Sequence, residues 1–131
     1  MAQHTHSIPL TMDYIEISVT DMPAAREFYG SAFGWTFTSY GDEYAGIRTA
    51  AESDSDDDEA GGLLLAETVT RGRPLVLLYT DDLADTLDRV TAAGGTIVNG
   101  PYAFPGGERF HFLDPSGNEL GVWTSSAHPA P

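Results

Sequence analysis

The sequence predicts an α+β fold in which two βαβββ modules form a concave mixed sheet. Three observations predict it. Tyr14–Trp35 reads as a strand, a capped helix and a glycine stop. A degenerate copy follows in the other half of the chain, where Thr80-Asp81 answers Thr20-Asp21 and Gly94 answers Gly34 with equal spacing inside each pair. Each copy is then followed by stretches of strand character. The chain is therefore an internal duplication. Sheets with helices on one face leave the opposite, concave face free for a ligand.

In Tyr14–Thr20 the apolar Ile15, Ile17 and Val19 alternate with Tyr14, Glu16 and Ser18, the period of a half-buried strand. Asp21 caps the helix, and Pro23 is tolerated in a first turn whose amides lack partners. Met22, Ala25, Phe28, Tyr29, Ala32 and Phe33 make one apolar stripe, ended by Gly34 in the left-handed conformation. Trp35–Tyr40 alternates aromatics with threonine and serine, with Trp35 and Phe37 expected in the core. Gly41-Asp42 is a turn and Glu43–Thr49 a strand. Glu52, Asp54, Asp56, Asp57, Asp58 and Glu59 form an acidic run that repels itself into a solvated loop, residues 52–59. The run lacks the alternating spacing and closing glutamate of a calcium loop. Gly61-Gly62 opens the short strand Leu63–Glu67, which ends module one (about 12–67), and Thr68–Arg73 crosses over.

Module two (about 74–125) restarts with Leu75–Thr80, apolar on both faces and therefore read as a central strand. Asp81 and Asp82 cap a helix with Leu83, Leu87 and Val90 on one side, stopped at Gly94-Gly95. Thr96–Val98 leaves as a strand, and Asn99–Gly107 reads as a loop rich in turn residues. Arg109–Leu113 and Glu119–Thr124 flank the hairpin connection Asp114–Asn118. The segments MAQHTHSIPL and SSAHPAP read as loose ends, which takes His4, His6 and His128 out of any site and leaves His111 in a strand.

The 131 residues suit one domain, 1–131, with a core that needs no staples. The absence of cysteine removes disulfides, thiolate metal sites and cysteine nucleophiles, and fits a cytoplasmic location. No long apolar run and no export leader stand in the sequence, so no membrane partner is expected. A net charge of −14 excludes nucleic acid, which needs a basic footprint, and favours a cationic ligand. Phosphate loops, nucleophile elbows and HExxH are absent.

Val19–Asp21 with Ala25, Phe28-Tyr29 and Phe33-Gly34-Trp35, then Asp81 with Gly94-Gly95, and finally Asp114-Pro115-Ser116-Gly117-Asn118 carry a resemblance over nearly the whole chain. The sequence resembles the vicinal oxygen chelate superfamily, which includes glyoxalase I, extradiol dioxygenases and bleomycin-resistance proteins. The resemblance implies a glyoxalase/bleomycin-resistance-like fold and a scaffold reused for several chemistries, so function rests on the site. It also places the ligands of the metal-dependent members at Tyr14, Leu75 and Gly121, with Glu67 nearest to the remaining one. Leucine and glycine side chains cannot coordinate and tyrosine is an uncommon ligand, so no metal and no other cofactor is expected. Aligning the two helices without a gap pairs Tyr14 with Pro74 instead, and a switched strand face offers Val76 and Leu78, which recovers no ligand. A non-standard set of Glu16, Glu119 and His111 is the chemically acceptable alternative for a divalent ion.

On this reading the concave face carries Tyr14, Glu16 and Ser18, then Leu75, Leu77 and Tyr79, then Glu119 and Trp123. Apolar walls with a few polar groups suit a small-molecule pocket. Trp123 and Tyr79 offer stacking surfaces, and Glu16 and Glu119 can hold a positive group. The first expectation is metal-free sequestration of a cationic or aromatic compound, as in bleomycin-resistance proteins. The alternative is a glyoxalase-like lyase or isomerase, or a dioxygenase. That alternative requires the non-standard metal site, or acid–base work by Glu16 or Glu119. The resemblance also brings in a homodimer, although a two-module chain can close its own cavity.

Overall fold

A computed structural model describes residues 8–49 and 59–126. Module one supplies β1 (Ile15–Val19), α1 (Met22–Phe33), β2 (Thr36–Ser39), β3 (Tyr44–Arg48) and β4 (Glu59–Leu65). Module two supplies β5 (Val76–Tyr79), α2 (Leu83–Ala92), β6 (Thr96–Phe104), β7 (Gly107–Leu113) and β8 (Glu119–Ser125). The strands form two four-stranded mixed sheets, ordered β1-β4-β3-β2 and β5-β8-β7-β6. In each, the first and last strands of the module pair in parallel and the other pairs are antiparallel. The α+β fold of two βαβββ modules is therefore the one the chain adopts.

The helix caps settle the register between the modules. Asp21 accepts from the Ala24 amide and Asp82 from the Asp85 amide, each at 3.0 Å. The cap partners are thus Asp21 and Asp82, not Asp21 and Asp81, which sets Tyr14 against Leu75 and Glu16 against Leu77. The missing residue lies inside the second helix, which is shorter. No strand bulge is needed, and Val76 and Leu78 face the core.

Met22, Ala25, Phe28, Tyr29 and Ala32 of α1 bury their stripe together with Val19, Ala45, Ile47 and Leu63 of the first sheet. Phe110, Phe112, Leu120 and Val122 of the second sheet join the same core. Each such large side chain contributes roughly 1.5–3 kcal/mol of burial. Tyr29 stacks on Trp35 at 4.7 Å and meets Phe28 edge-on at 4.9 Å. Its hydroxyl donates to Asp114 Oδ2 at 2.7 Å, across the module boundary. Asp114 also accepts the Ser116 and Asn118 amides, and Asn118 Nδ2 donates to the Ser18 carbonyl at 2.7 Å. The Asp114–Asn118 turn is therefore a clasp that fastens module two to β1. Burial, followed by Asp114, pushes the Tyr29 hydroxyl pKa up, so it remains a donor.

Three elements differ from the sequence reading. β4 starts at Glu59, ahead of the expected Leu63. Gly61 is not a turn residue but a point of close approach, where a Cβ would sit 2.0 Å from the Ile15 carbonyl oxygen. β6 runs on through the expected loop to Phe104, because an edge strand tolerates the missing amide of Pro101 and a register shift absorbs Gly100. β5, read as a central strand, is the edge of its sheet, with Leu77 and Tyr79 exposed. The expected loose ends lie mostly outside the described residues, but Ser125 belongs to β8 and the Ser126 amide donates to the Gly106 carbonyl.

Candidate functional site

Because Ile17 and Val19 enter the core, Tyr14, Glu16 and Ser18 take the opposite, helix-free face of the first sheet. Across the ladder Glu16 stands opposite Gly62, and Gly62 opposite Gly46. Into the space above these glycines fold three tyrosines and a fully buried carboxylate. Glu59 accepts from the Tyr14 hydroxyl at 3.2 Å and from the Tyr40 hydroxyl at 2.9 Å, while the Tyr14 and Tyr44 hydroxyls lie 2.6 Å apart. A Cβ on Gly46 would meet Glu59 Oε2 at 2.3 Å, and one on Gly62 would meet the Tyr44 hydroxyl at 2.1 Å. Burial and then the Tyr44 bond raise the Tyr14 pKa well above the ordinary phenol value. Tyr44 is raised as well, chiefly by burial, with Glu16 adding to it. These hydroxyls stay protonated donors. Glu59 is thus no part of a solvated acidic loop, while residues 52–58 lie outside the described residues. Adjacency to three aspartates disguised it, and the signal for it was glycine at Gly46 and Gly62 inside strands.

On the second sheet the helix-free face carries two rows in register. One row is Leu77, Gly121, His111 and Asn99, and the other is Tyr79, Trp123, Arg109 and Tyr102. His111 is only 3% exposed, and both its ring nitrogens are engaged. Nδ1 lies 2.8 Å from Glu119 Oε2, and Nε2 lies 3.0 Å from the Tyr102 hydroxyl. Arg109 Nε donates to the same Tyr102 oxygen, and Arg71 Nε donates to Glu119 Oε1 at 2.8 Å. Arg109 can only donate, so the Tyr102 oxygen accepts from it; in the tautomer that carries the His111 proton on Nδ1, toward Glu119, the Tyr102 hydroxyl donates to Nε2. The Arg71 bond, then the His111 bond, hold the Glu119 carboxyl below the usual carboxylate range. Trp123 meets Tyr79 edge-on at 5.1 Å and Phe104 at 6.2 Å, while Leu77 and Tyr79 are 38% and 46% exposed. The Tyr79 hydroxyl donates to Asp81 at 2.7 Å, and its pKa is raised, first by that bond.

Residues of β1, of the 68–74 crossover and of β8 enclose a cavity of about 420 Å³ lined by Glu16, Ser18, Arg73, Asn118 and Glu119, among others. The structure therefore brings Glu16 and Glu119 together at one cavity. Leu77, Tyr79 and Trp123 lie outside its lining, Tyr14 is locked in the tyrosine cluster, and Leu75 is half-buried just ahead of β5. Tyr102 is hidden in the sequence because Asn99–Gly107 carries the turn residues of a loop, and Arg109 because only the pairing of β6 with β7 sets it beside Tyr102.

Residues 11–122 match the Glyoxalase/Bleomycin resistance protein/Dioxygenase superfamily. The chain belongs to that superfamily. It is 24% identical over 122 residues to CFP32 of Mycobacterium tuberculosis, covering 90% of this chain and 47% of the relative. To the anthracycline biosynthesis protein DnrV of Streptomyces peucetius it is 29% identical over 133 residues, covering 91% and 48%. The chain thus spans about half the length of these curated relatives. A glyoxalase-related enzyme from Fulvimarina pelagi superposes with a TM-score of 0.72 at 22% identity, covering 88% of each chain. TnmS3, an antibiotic binding protein from a Streptomyces species, gives 0.63 at 23% identity, covering 92% of this chain and all of its own. These likenesses establish the superfamily's fold.

The positions that the superfamily's metal enzymes use do not fit a divalent ion in this chain. Gly121 has no side chain and lies under Leu77, whose Cδ2 would be 2.5 Å from an added Cβ. Leu75 is apolar, the Tyr14 hydroxyl is bound to Tyr44 and Glu59, and Glu67 is exposed past the end of β4. Among the described residues, no three His, Asp or Glu side chains converge in a group able to hold a metal. His111 and Glu119 are partners of each other, and Glu16 does not complete a set with them.

Proposed function

We propose that this chain binds a small molecule combining a flat ring with a positive group, and does so without a metal. The carrying observation is the row of Leu77, Tyr79 and Trp123 on the helix-free face of module two, two of them more than a third exposed. Side chains of this kind offer an apolar stacking surface that gains from being covered. The exposed Glu16 carboxylate lines the neighbouring cavity, which is of the size that small ligands occupy. Glu119 is paired with the Arg71 guanidinium and hydrogen-bonded to His111, which leaves Glu16 as the anion for a cation. The net charge of −14 adds a long-range attraction of the same sign. The names of DnrV and TnmS3 fit a small-molecule reading of this scaffold. Cytoplasmic sequestration within a single domain, 1–131, completes the proposal, and a homodimer would cover the same exposed row.

The test is a thermal-shift panel of cationic aromatics beside neutral and anionic counterparts, with oligomeric state and metal content measured on the same sample. Cationic aromatics raise the melting temperature saturably in the presence of a chelator. Trp123→Ala abolishes the shift, and Glu16→Gln weakens it in a salt-dependent way. Near-stoichiometric metal that is lost on Glu16→Ala or Glu119→Ala would overturn the reading.

A further inference from the structure

We propose that Tyr102 is a general base, driven by a relay through His111 and Glu119, that moves a proton on small aromatic carbonyl compounds lying on the helix-free face of module two. The three side chains come from adjacent strands β6, β7 and β8 and form one chain of hydrogen bonds, at 3.0 Å and then 2.8 Å. His111 has no other partner to serve, since Nδ1 is taken by the carboxylate and Nε2 faces the phenol. It is nearly sealed from water, so the imidazole does not lose its partner to solvent. Tyr102 is only half-buried, which leaves its oxygen reachable from the face while the relay behind it is closed.

Two arginines complete the arrangement. Arg109 donates to the Tyr102 oxygen and favours negative charge developing there. Its guanidinium is packed between rings, 5.4 Å from that of Tyr102 and 5.3 Å from that of Phe104. Arg71 anchors the far oxygen of Glu119. Tyr102, Arg109, Trp123 and Tyr79 stand in one cross-strand row, so a ring stacked on Trp123 sets its substituent toward Tyr102. The duplication supplies the contrast. Gly46 occupies the place of His111 in module one, where the Tyr14 and Tyr44 hydroxyls close on one another and, among the described residues, no imidazole stands behind them.

The step balances without a metal, oxidant or co-reactant. The C–H bond next to the carbonyl breaks, its electron pair stays on the substrate as an enolate, and its proton bonds to the Tyr102 oxygen. The proton formerly on that oxygen moves to His111 Nε2, and Glu119 stabilises the imidazolium. Reversal returns a proton to the same or a neighbouring atom, giving exchange or isomerisation. This goes beyond the binding proposal, because a face that only holds a ligand has no use for an activated hydroxyl.

The probe is 5-nitrobenzisoxazole, a flat aromatic C–H acid. Removal of its proton breaks the N–O bond and releases a coloured cyanophenolate. The protein is expected to turn it over saturably and unchanged by a chelator. Tyr102→Phe lowers kcat by about a hundredfold or more, and His111→Gln lowers kcat while leaving KM in place. A protein no faster than Tyr102→Phe overturns the proposal. Should that variant not fold, an aryl sulfonyl fluoride on the unaltered chain decides. The phenol oxygen displaces fluoride at sulfur, so mass spectrometry finds Tyr102 labelled ahead of the more exposed Tyr79 and Tyr40. Labelling that follows exposure alone sinks the idea. Turnover and cationic-aromatic binding are separate readouts, so either proposal can fail alone.

Discussion

The two helix-free faces are the same ladder used in opposite ways. Gly62, opposite Glu16, and Gly121, opposite Leu77, are equivalent positions. Glu59 and Glu119 also correspond, each standing opposite the last residue of the strand before it. In module one the carboxylate is fully buried and the tyrosine hydroxyls satisfy it, with the glycines clearing room for the cluster. In module two the carboxylate is 18% exposed, bridges His111 to Arg71, and borders a cavity and a row of exposed apolar side chains. One copy of the duplication has become an internal brace and the other a surface with groups to offer. The difference comes from single residues on a shared backbone, His111 in place of Gly46 above all.

Glu59→Ala is the harshest way to break this contrast. It leaves a void in place of a fully buried side chain and removes the acceptor of the part-buried Tyr14 and Tyr40 hydroxyls, which together cost about 2–4 kcal/mol. Glu119→Ala frees Arg71 into water and opens the space beside His111 Nδ1 to a water that can replace the carboxylate, and about 1 kcal/mol is expected. Urea midpoints of the two variants check the ordering. The glycine pair sharpens the comparison with a smaller effect. Gly62→Ala forces a Cβ against the tied hydroxyls of Tyr44 and Tyr14, at about 1–3 kcal/mol. Gly121→Ala meets mainly the end of Leu77, an exposed side chain that can swing away, at under about 1 kcal/mol. Equal costs for the two glycines would mean that the module-one cluster is not held rigidly.

The sequence disclosed the fold through features whose causes are local: alternation in Tyr14–Thr20, the stripe from Met22 to Phe33, the Asp21 cap and the Gly34 stop. It disclosed the helix-free positions of Glu16, Tyr79, Glu119 and Trp123 for the same reason, since strand period fixes the face. What stayed hidden depends on neighbours distant in sequence. Glu59 reads as one more acid in a run until β1 and β3 are laid beside it. Tyr102 reads as part of a turn-rich loop until an edge position excuses its proline and glycines. His111 could be placed in a strand, but its partners Glu119 and Tyr102 are set by the pairing of β6, β7 and β8. Leu77 and Tyr79 misled in the other direction. Their apolar character marks an exposed edge rather than a central strand.

The smallest expected effect concerns pH and bears on module two alone. Arg71, and after it His111, lower the Glu119 pKa in the folded chain. A carboxyl whose folded pKa is depressed stabilises the fold above its unfolded pKa, about 4.3, and loses that contribution as pH falls through the folded value. Glu119→Gln removes the titration. The unaltered chain should therefore exceed the variant in stability by a constant margin above about pH 5, and the margin should shrink steadily below that. Because the Arg71 side chain is 51% exposed, the margin stays under about 1 kcal/mol. Added salt should erase the Arg71 share while sparing the share of the nearly sealed His111. A margin that survives unchanged to pH 3, measured by urea unfolding, would show that Glu119 acts through packing and not as the charged end of the relay.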